Sequence, residues 1–162
     1  MSGLLLDTCI VRKLCGTKNP GIKARIAALP GATKLCISVI TRGEIEFGHT
    51  SRDSLPVKQA EFRKYLRETF ADNEIKITES TGEFYGLLRR ACFDRFDKKH
   101  KYAECREDKL GEKCGIDEND LWLAAQALEH NFFVITLDGM KRIKEIVALV
   151  DRPDRVQVWA DD

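Results

Sequence analysis

The sequence predicts a single α/β domain, in which a central parallel sheet of about four to five strands is flanked by helices. Three observations support this fold class. The chain has 162 residues, a length typical of one domain. Short apolar runs alternate along it with longer amphipathic segments. Several of the apolar runs are continuous, as in strands that a parallel sheet buries on both faces.

The composition is that of a folded chain. Hydrophobic residues make up 43% and charged residues 33% of it, which argues against disorder. Lys and Arg number 27 and Asp and Glu number 26, so the net charge is +1. A dedicated nucleic-acid-binding domain is usually strongly basic. The charge balance does not tell where the charges lie, and it therefore excludes little by itself.

The first half of the chain begins with a short apolar strand over residues 3–7 that ends in an acid. In the helix predicted over residues 41–48, Thr41 is a candidate N-cap with Glu44 at capping-box spacing. The other elements predicted in this half are a short helix over 9–15, a helix over 21–29, a strand over 34–39 and an amphipathic helix over 54–71.

The second half continues the alternation. A period-two pattern over residues 74–78 predicts a strand, and the wholly apolar run over 132–137 predicts a buried one. The other elements predicted here are helices over 80–96, 117–130 and 140–150 and a short last strand over 156–159. Trp122, within the second of these helices, is expected in the core or at an interface.

One segment does not fit the alternation. Between residues 94 and 114, 13 of 21 residues are charged, seven basic and six acidic. Three hypotheses remain open for this charged excursion. It could extend the preceding helix, form a solvated insertion, or act as a lid or RNA-contacting element.

The sequence places the protein in the cytoplasm. Its first residues lack the basic start of a secretory signal, and no apolar run is long enough to span a membrane. We therefore expect no membrane association. The six cysteines are accordingly expected to be reduced thiols, with no disulfides.

Four acids fall where predicted strands end or where the helices after them begin. Asp7 and Asp138 each follow an apolar strand, while Glu44 and Asp120 lie early in helices. In a parallel α/β sheet these positions lie at the carboxyl ends of the strands, where ligands bind. We therefore expect the four carboxylates to converge, although each alone is more often a turn or cap residue.

Clustered carboxylates repel one another, and a divalent cation would relieve that repulsion. The set consists of oxygen donors without paired His or Cys, a hard set that favours Mg²⁺ or Mn²⁺ over zinc. The acids therefore predict a magnesium or manganese site.

These segments resemble the PIN-domain ribonucleases, and among them the VapC-type toxins of toxin–antitoxin pairs. The resemblance rests on four motifs in order, which are LLLDTCI ending at residue 10, ISVITRGEIEFG ending at 48, NDLWLAAQAL ending at 128 and VITLD ending at 138. Their order and spacing extend from residue 4 to about residue 159. Two departures are Cys9, where Asn is common, and Asp117, where Gly is frequent.

The resemblance implies a PIN-like domain that hydrolyses phosphodiester bonds in RNA with Mg²⁺ or Mn²⁺. Asp7, Asp120 and Asp138 would bind the metal, and Glu44 would orient a water molecule on it. Thr136 would support the carboxylates by hydrogen bonding, as would Thr8. Asp117, a departure from the family, is an extra ligand, a supporting group around the ligands or a simple N-cap.

The resemblance also implies partners, an antitoxin and a second copy of the chain. RNA would need cations around the acids. The candidates are Arg12, Lys13, Arg42, Lys141 and Arg142. Further candidates are Arg89, Arg90, Lys98, Lys99, Lys101 and Lys144. Each is also interpretable as an ordinary surface charge.

Two other functions remain open on the sequence. One is a PIN-like RNA-binding or scaffold protein without catalytic activity, although such a protein has no need of four clustered acids. The other is a phosphatase with Asp7 as nucleophile. Such enzymes usually carry a second acid two residues later, and this chain has Cys9 there.

Overall fold

The computed structural model describes residues 3–16, 19–50, 55–97 and 110–159. Its centre is a five-stranded, wholly parallel sheet with the strand order β3-β2-β1-β4-β5. The strands are β1 (Gly3–Leu6), β2 (Lys34–Ser38), β3 (Glu74–Ile75), β4 (Phe133–Thr136) and β5 (Val156–Val158). The predicted α/β fold class and the parallel sheet are confirmed.

Helices cover both faces of the sheet. They are α1 (Thr8–Cys15), α2 (Pro20–Ala27), α3 (Val39–Thr50), α4 (Pro56–Phe70), α5 (Glu79–Phe96), α6 (Glu118–Glu129) and α7 (Lys141–Val150), with a short π-helix (Leu110–Cys114) before α6. Among the described residues, no helix is long and apolar enough to cross a membrane.

Strand β1 shows why the fold has three layers. Successive side chains of a strand point to opposite faces. Leu5 belongs to the core cluster under α5, α6 and α7, while Leu4 and Leu6 belong to the cluster under α1 to α4. A continuous apolar run is therefore required, since both faces of this central strand are buried.

The start of α3 corrects one expectation. The helix begins at Val39, and the side chain of Ser38 accepts a hydrogen bond from the backbone N–H of Ile40. Thr41 is fully buried inside the helix, and its hydroxyl contacts the backbone oxygen of Leu6 at 3.4 Å. The prediction that Thr41 caps this helix was wrong, because its hydroxyl has a partner on β1 rather than on its own backbone.

Two other predicted elements differ from the structure. The strand predicted over 74–78 is only Glu74–Ile75, which pairs with the end of β2 at one edge of the sheet. Of the charged excursion over 94–114, residues 98–109 lie outside the described residues. On either side of them, α5 ends at Phe96 and the π-helix begins at Leu110.

Arg155 fastens the last strand to the domain. The residue is only 4% exposed, and its side chain donates to the Asp151 carboxylate at 2.6 Å, to Asn131 Oδ1 at 2.9 Å and to the backbone oxygen of Phe132 at 3.0 Å. Its own carbonyl accepts from the N–H of Val134 in β4. One guanidinium therefore satisfies three acceptors that converge at the start of β5.

We expect Arg155→Ala to lower the free energy of unfolding by about 2–4 kcal/mol, because it leaves a part-buried carbonyl and a part-buried carboxylate without their donor. Urea denaturation followed by circular dichroism measures the change. Lys64→Ala is the control, since it removes an exposed ion pair with Glu68 and should leave stability nearly unchanged. Equal stabilities of the two variants would contradict the role assigned to Arg155.

Candidate active site

The sheet order places two of the four acids side by side. Strand β1 lies between β2 and β4, and Asp7 is the residue that follows it. The N–H of Asp7 donates to the carbonyl of Ile135 in β4 at 3.0 Å, so the two strands remain aligned up to the acid. Asp138 follows β4 by two residues. Both carboxylates therefore lie at the carboxyl edge of the sheet.

Asp7 is held by three hydrogen bonds. Its carboxylate caps α1 by accepting from the Thr8 N–H at 2.6 Å, and it accepts from the Thr136 hydroxyl at 2.7 Å and the Cys9 thiol at 3.1 Å. The residue is buried. The direction of its carboxylate is consequently determined by β4 as well as by its own helix.

Thr136 and Cys9 also connect the two acidic loops. The Thr136 hydroxyl accepts from the N–H of Asp138 at 3.0 Å, and the Cys9 sulfur accepts from the N–H of Leu137 at 3.2 Å. The loop after β4 is therefore tied to the start of α1. This accounts for Thr136 as a supporting residue and gives Cys9 a contact that the sequence did not predict.

Glu44 joins α3 to two other elements. One carboxylate oxygen accepts from the Thr8 hydroxyl of α1, and the other accepts from the Asn119 amide of α6 at 2.8 Å. Thr8 thus lies where a supporting residue was expected. Asn119 was not proposed as a site residue; its position next to Asp120, in a motif that pairs Asn with Asp, was the available signal.

Asp120 lies in the first turn of α6. Asp117 is the N-cap of this helix and accepts from the Asn119 N–H at 2.8 Å, as the cap interpretation predicted. Burial, followed by the charges of Asp7, Asp117, Glu44 and Asp138, raises the pKa of Asp120 to about 7. The acids are therefore close enough to repel one another.

These residues line an open cleft of about 740 Å³. The cleft brings together all four predicted carboxylates with Thr8, Asp117, Arg12 and Lys13. Thr136 lies directly beneath Asp7. The remaining lining residues are Cys9, Phe47 and Asn119.

Three predicted cations lie elsewhere. Arg42 forms an ion pair with Glu74 at the edge of the sheet. Lys141 and Arg142 line a smaller depression, which borders the far sides of Asp117 and Asp120. Arg142 donates to the carbonyl of Cys114 and lies over the Phe96 ring, which ties α7 to the π-helix rather than to the cleft.

The donors in the cleft fit a hard divalent cation. One ligand atom each from Asp7, Cys9 and Asp138 lie within 4.8 Å of one another. Burial and the Asp7 charge raise the pKa of the Cys9 thiol to about 11, so at neutral pH it is a protonated hydrogen-bond donor rather than a thiolate ligand. The oxygens of Asp7 and Asp138 are the donors that Mg²⁺ and Mn²⁺ prefer.

The sequence matches the family model of the PIN domain over residues 4–147, and the chain therefore belongs to the PIN domain family. A comparison with curated protein sequences gives no significant match.

Solved structures share the fold at low sequence identity. The chain is similar to VapBC2 from Rickettsia felis bound to a DNA fragment from its promoter, with a TM-score of 0.71 and 18% identity over 97% of this chain and 98% of the other. For VapBC-1 from nontypeable Haemophilus influenzae the TM-score is 0.68 and the identity 22%, with the same coverage. For FitAcB from Neisseria gonorrhoeae they are 0.60 and 20%, over 86% of this chain and 92% of the other.

The pKa of Asp120 makes the metal-free protein sensitive to pH. Its folded value of about 7 exceeds the ordinary 3.8, so between these values the folded chain holds a proton that the unfolded chain releases. Stability therefore falls as the pH rises from about 4 through 7. We expect Asp120→Asn to raise the free energy of unfolding at pH 8 by about 2 kcal/mol, after allowance for solvent screening, and by less at pH 5.

Thermal denaturation in EDTA at the two pH values tests this expectation. Asp72→Asn is the control, because Asp72 is exposed in the turn before the outer strand β3 and does not line the cleft. An Asp120→Asn variant no more stable than the parent at pH 8 would show that the acids do not repel one another as described.

Proposed function

We propose that this protein is a metal-dependent endoribonuclease that hydrolyses phosphodiester bonds in RNA, and that it is the toxin of a toxin–antitoxin pair. The observation that supports this most is the meeting of Asp7, Glu44, Asp120 and Asp138 in one open cleft of a PIN fold. Four carboxylates with no structural need to be together are costly to fold, and a reaction that needs a cation accounts for them.

Asp7, Asp120 and Asp138 are the proposed ligands of Mg²⁺ or Mn²⁺. When bound, such a cation makes water a better nucleophile near neutral pH and stabilises charge on the phosphate. The chain's own contribution is to hold the ligands in place. Thr136 performs part of this task, since its hydroxyl donates to Asp7 and accepts from the N–H of Asp138.

Glu44 is the proposed residue that orients the attacking water. Each of its oxygens accepts one hydrogen bond, from Thr8 and from Asn119, and a carboxylate oxygen can accept a second. The side chain of Glu44 is thus held in place, and its oxygens can still accept further hydrogen bonds. A water on the cleft side can donate to it and be aimed at a phosphate bound among the other three acids.

Arg12 and Lys13 are the proposed phosphate contacts. Both belong to the last turn of α1 and line the cleft. Cations at the rim offset the repulsion between the acids and an RNA backbone. The cleft is open rather than a closed pocket, which suits a polymer that passes through it.

The toxin role is supported by the solved structures that share the fold. VapBC2, VapBC-1 and a toxin–antitoxin complex from Klebsiella pneumoniae are matched across 97% of this chain. We therefore propose an antitoxin and a second copy of this chain as partners, and a cytoplasmic location. The helices α4 and α5, which lie on opposite sides of the sheet, are candidate docking surfaces.

We expect the protein to cleave single-stranded RNA in Mg²⁺ or Mn²⁺, and Asp7→Asn to lower the rate roughly 100-fold or more, because the substitution removes a metal ligand and an oriented charge. Gel analysis of a labelled RNA measures cleavage, with EDTA as a second way to abolish it. Asp72→Asn is the matched control and should cleave like the wild type.

Equal cleavage by the wild type and Asp7→Asn would contradict this nuclease assignment. RNA binding without cleavage in any divalent metal would favour the alternative, an RNA-binding or scaffold protein without catalytic activity. A trapped phospho-aspartate at Asp7 would instead indicate a phosphatase.

We expect induced expression of the wild type in bacteria to arrest growth and break RNA, and Asp7→Asn to do neither. Co-expression of the small reading frame next to the gene should restore growth if it encodes the antitoxin. Growth curves and total-RNA gels provide the measurement. Arrest by both proteins would show that toxicity does not depend on the acidic cleft, and absence of arrest by either would remove the toxin role.

A further inference from the structure

Phe47 is an aromatic ring exposed at the mouth of the acidic cleft. Its residue is 71% exposed, and it lines the same cleft as the four acids. It follows Glu44 by three residues on α3, so the two side chains share one face of the helix and are about 4.5 Å apart along its axis. Phe47 therefore lies close to the proposed reacting phosphate.

Arg12 lines the same cleft. A Cβ atom at Gly48 would come within 2.5 Å of Arg12 Nη2, so the guanidinium lies against α3 at the residue after Phe47. In the described part of the chain Arg12 forms no ion pair, and the residue is exposed. A cation and an aromatic face are therefore presented together next to the acids.

Proteins that hold single-stranded nucleic acid use this combination. Bases stack on aromatic rings while nearby cations contact the backbone, and stacking tolerates any base because every base has a π face. An aliphatic side chain would offer apolar area without the flat face. A base in a duplex is already stacked on its neighbours, so only an unpaired one can occupy such a ring.

We propose that Phe47 stacks against a nucleobase of the RNA and that Arg12 binds the adjoining phosphate. The inference rests on the proposed function and adds to it the residue that would hold an unpaired base of the RNA next to the bond that is cut. The short distance along α3 from Glu44 to Phe47 places the stacked base on a nucleotide that flanks the scissile phosphate.

The test is the binding of a fluorescein-labelled single-stranded RNA by anisotropy in Mg²⁺. All proteins carry Glu44→Gln, which slows cleavage and leaves the three proposed metal ligands in place. We expect Phe47→Ala to raise Kd roughly 5- to 150-fold, the range that corresponds to the loss of one stacked base. Phe47→Leu keeps the apolar bulk without the aromatic plane and should bind like Phe47→Ala, whereas Phe47→Tyr should bind like the parent.

Two controls separate stacking from charge and from general surface effects. Leu149→Ala removes a side chain from α7 that is 65% exposed and does not line the cleft, and it should not change Kd. Arg12→Gln should reduce the dependence of log Kd on log salt by about one phosphate contact, while Phe47→Ala leaves that slope unchanged.

An abasic RNA locates the contact. A strand that lacks the base next to the cleavage site should bind the parent as weakly as the intact strand binds Phe47→Ala. Combining the abasic strand with Phe47→Ala should raise Kd no further. Additive losses would overturn the inference, since the ring and the base would then act independently.

Other outcomes also decide the matter. Unchanged RNA binding by Phe47→Ala and Phe47→Leu overturns the inference, and a simultaneous shift from dimer to monomer would assign the ring to a protein contact. If the wild type cleaves RNA while Phe47 proves irrelevant, only this inference fails. If RNA binds through Phe47 but is never cleaved, the proposed function fails and the inference holds. Absence of RNA binding by every protein overturns both.

Discussion

The structure depends on one constraint, which is that mutually repelling carboxylates must be held together at the carboxyl edge of the sheet. Burial, which is the largest cause, and the charges of four neighbouring acids together raise the pKa of Asp120 to about 7, so an ionised Asp120 is costly in the metal-free protein. The central position of β1 causes this, since its neighbours β2 and β4 bring the segments after them to the same edge. The acids cannot separate without rearranging the sheet.

Uncharged hydrogen-bond donors stabilise the clustered carboxylates. Thr136 and Cys9 donate to Asp7, while Thr8 and Asn119 donate to Glu44. Hydrogen bonds to an ionised carboxylate stabilise it without adding a charge that would compete with a cation for the site. The same contacts join α1, α3, α6 and the loop after β4. The site is therefore oriented in advance, by elements that the core already fixes.

Particular residues show where sequence reasoning succeeded and failed. Asp7 and Asp138 were predictable because each ends a continuous apolar strand, and such strands bury both faces. The capping role of Asp117 was predictable because a cap depends on neighbours in the chain. The prediction that Thr41 caps α3 was wrong, since its buried hydroxyl contacts a backbone oxygen 35 residues away on β1. Arg42 was one candidate cation for RNA, and its ion pair with Glu74, which spans 32 residues, was not predicted. The residues that flank Thr41 and Arg42 in the sequence give no sign of these distant partners.

The sequence by itself determined the α/β class, the parallel sheet, the family resemblance and the four acids, because periodicity and motif order are local properties of the chain. Only the tertiary structure decided which cations face the cleft, that Asn119 and Cys9 contribute to the carboxylate network, and that Phe47 lies exposed in the same cleft as Arg12. Those facts depend on the packing of α1 against α3 and of β1 against β4. Contacts between distant segments are set by the whole core, and no short stretch of sequence encodes them.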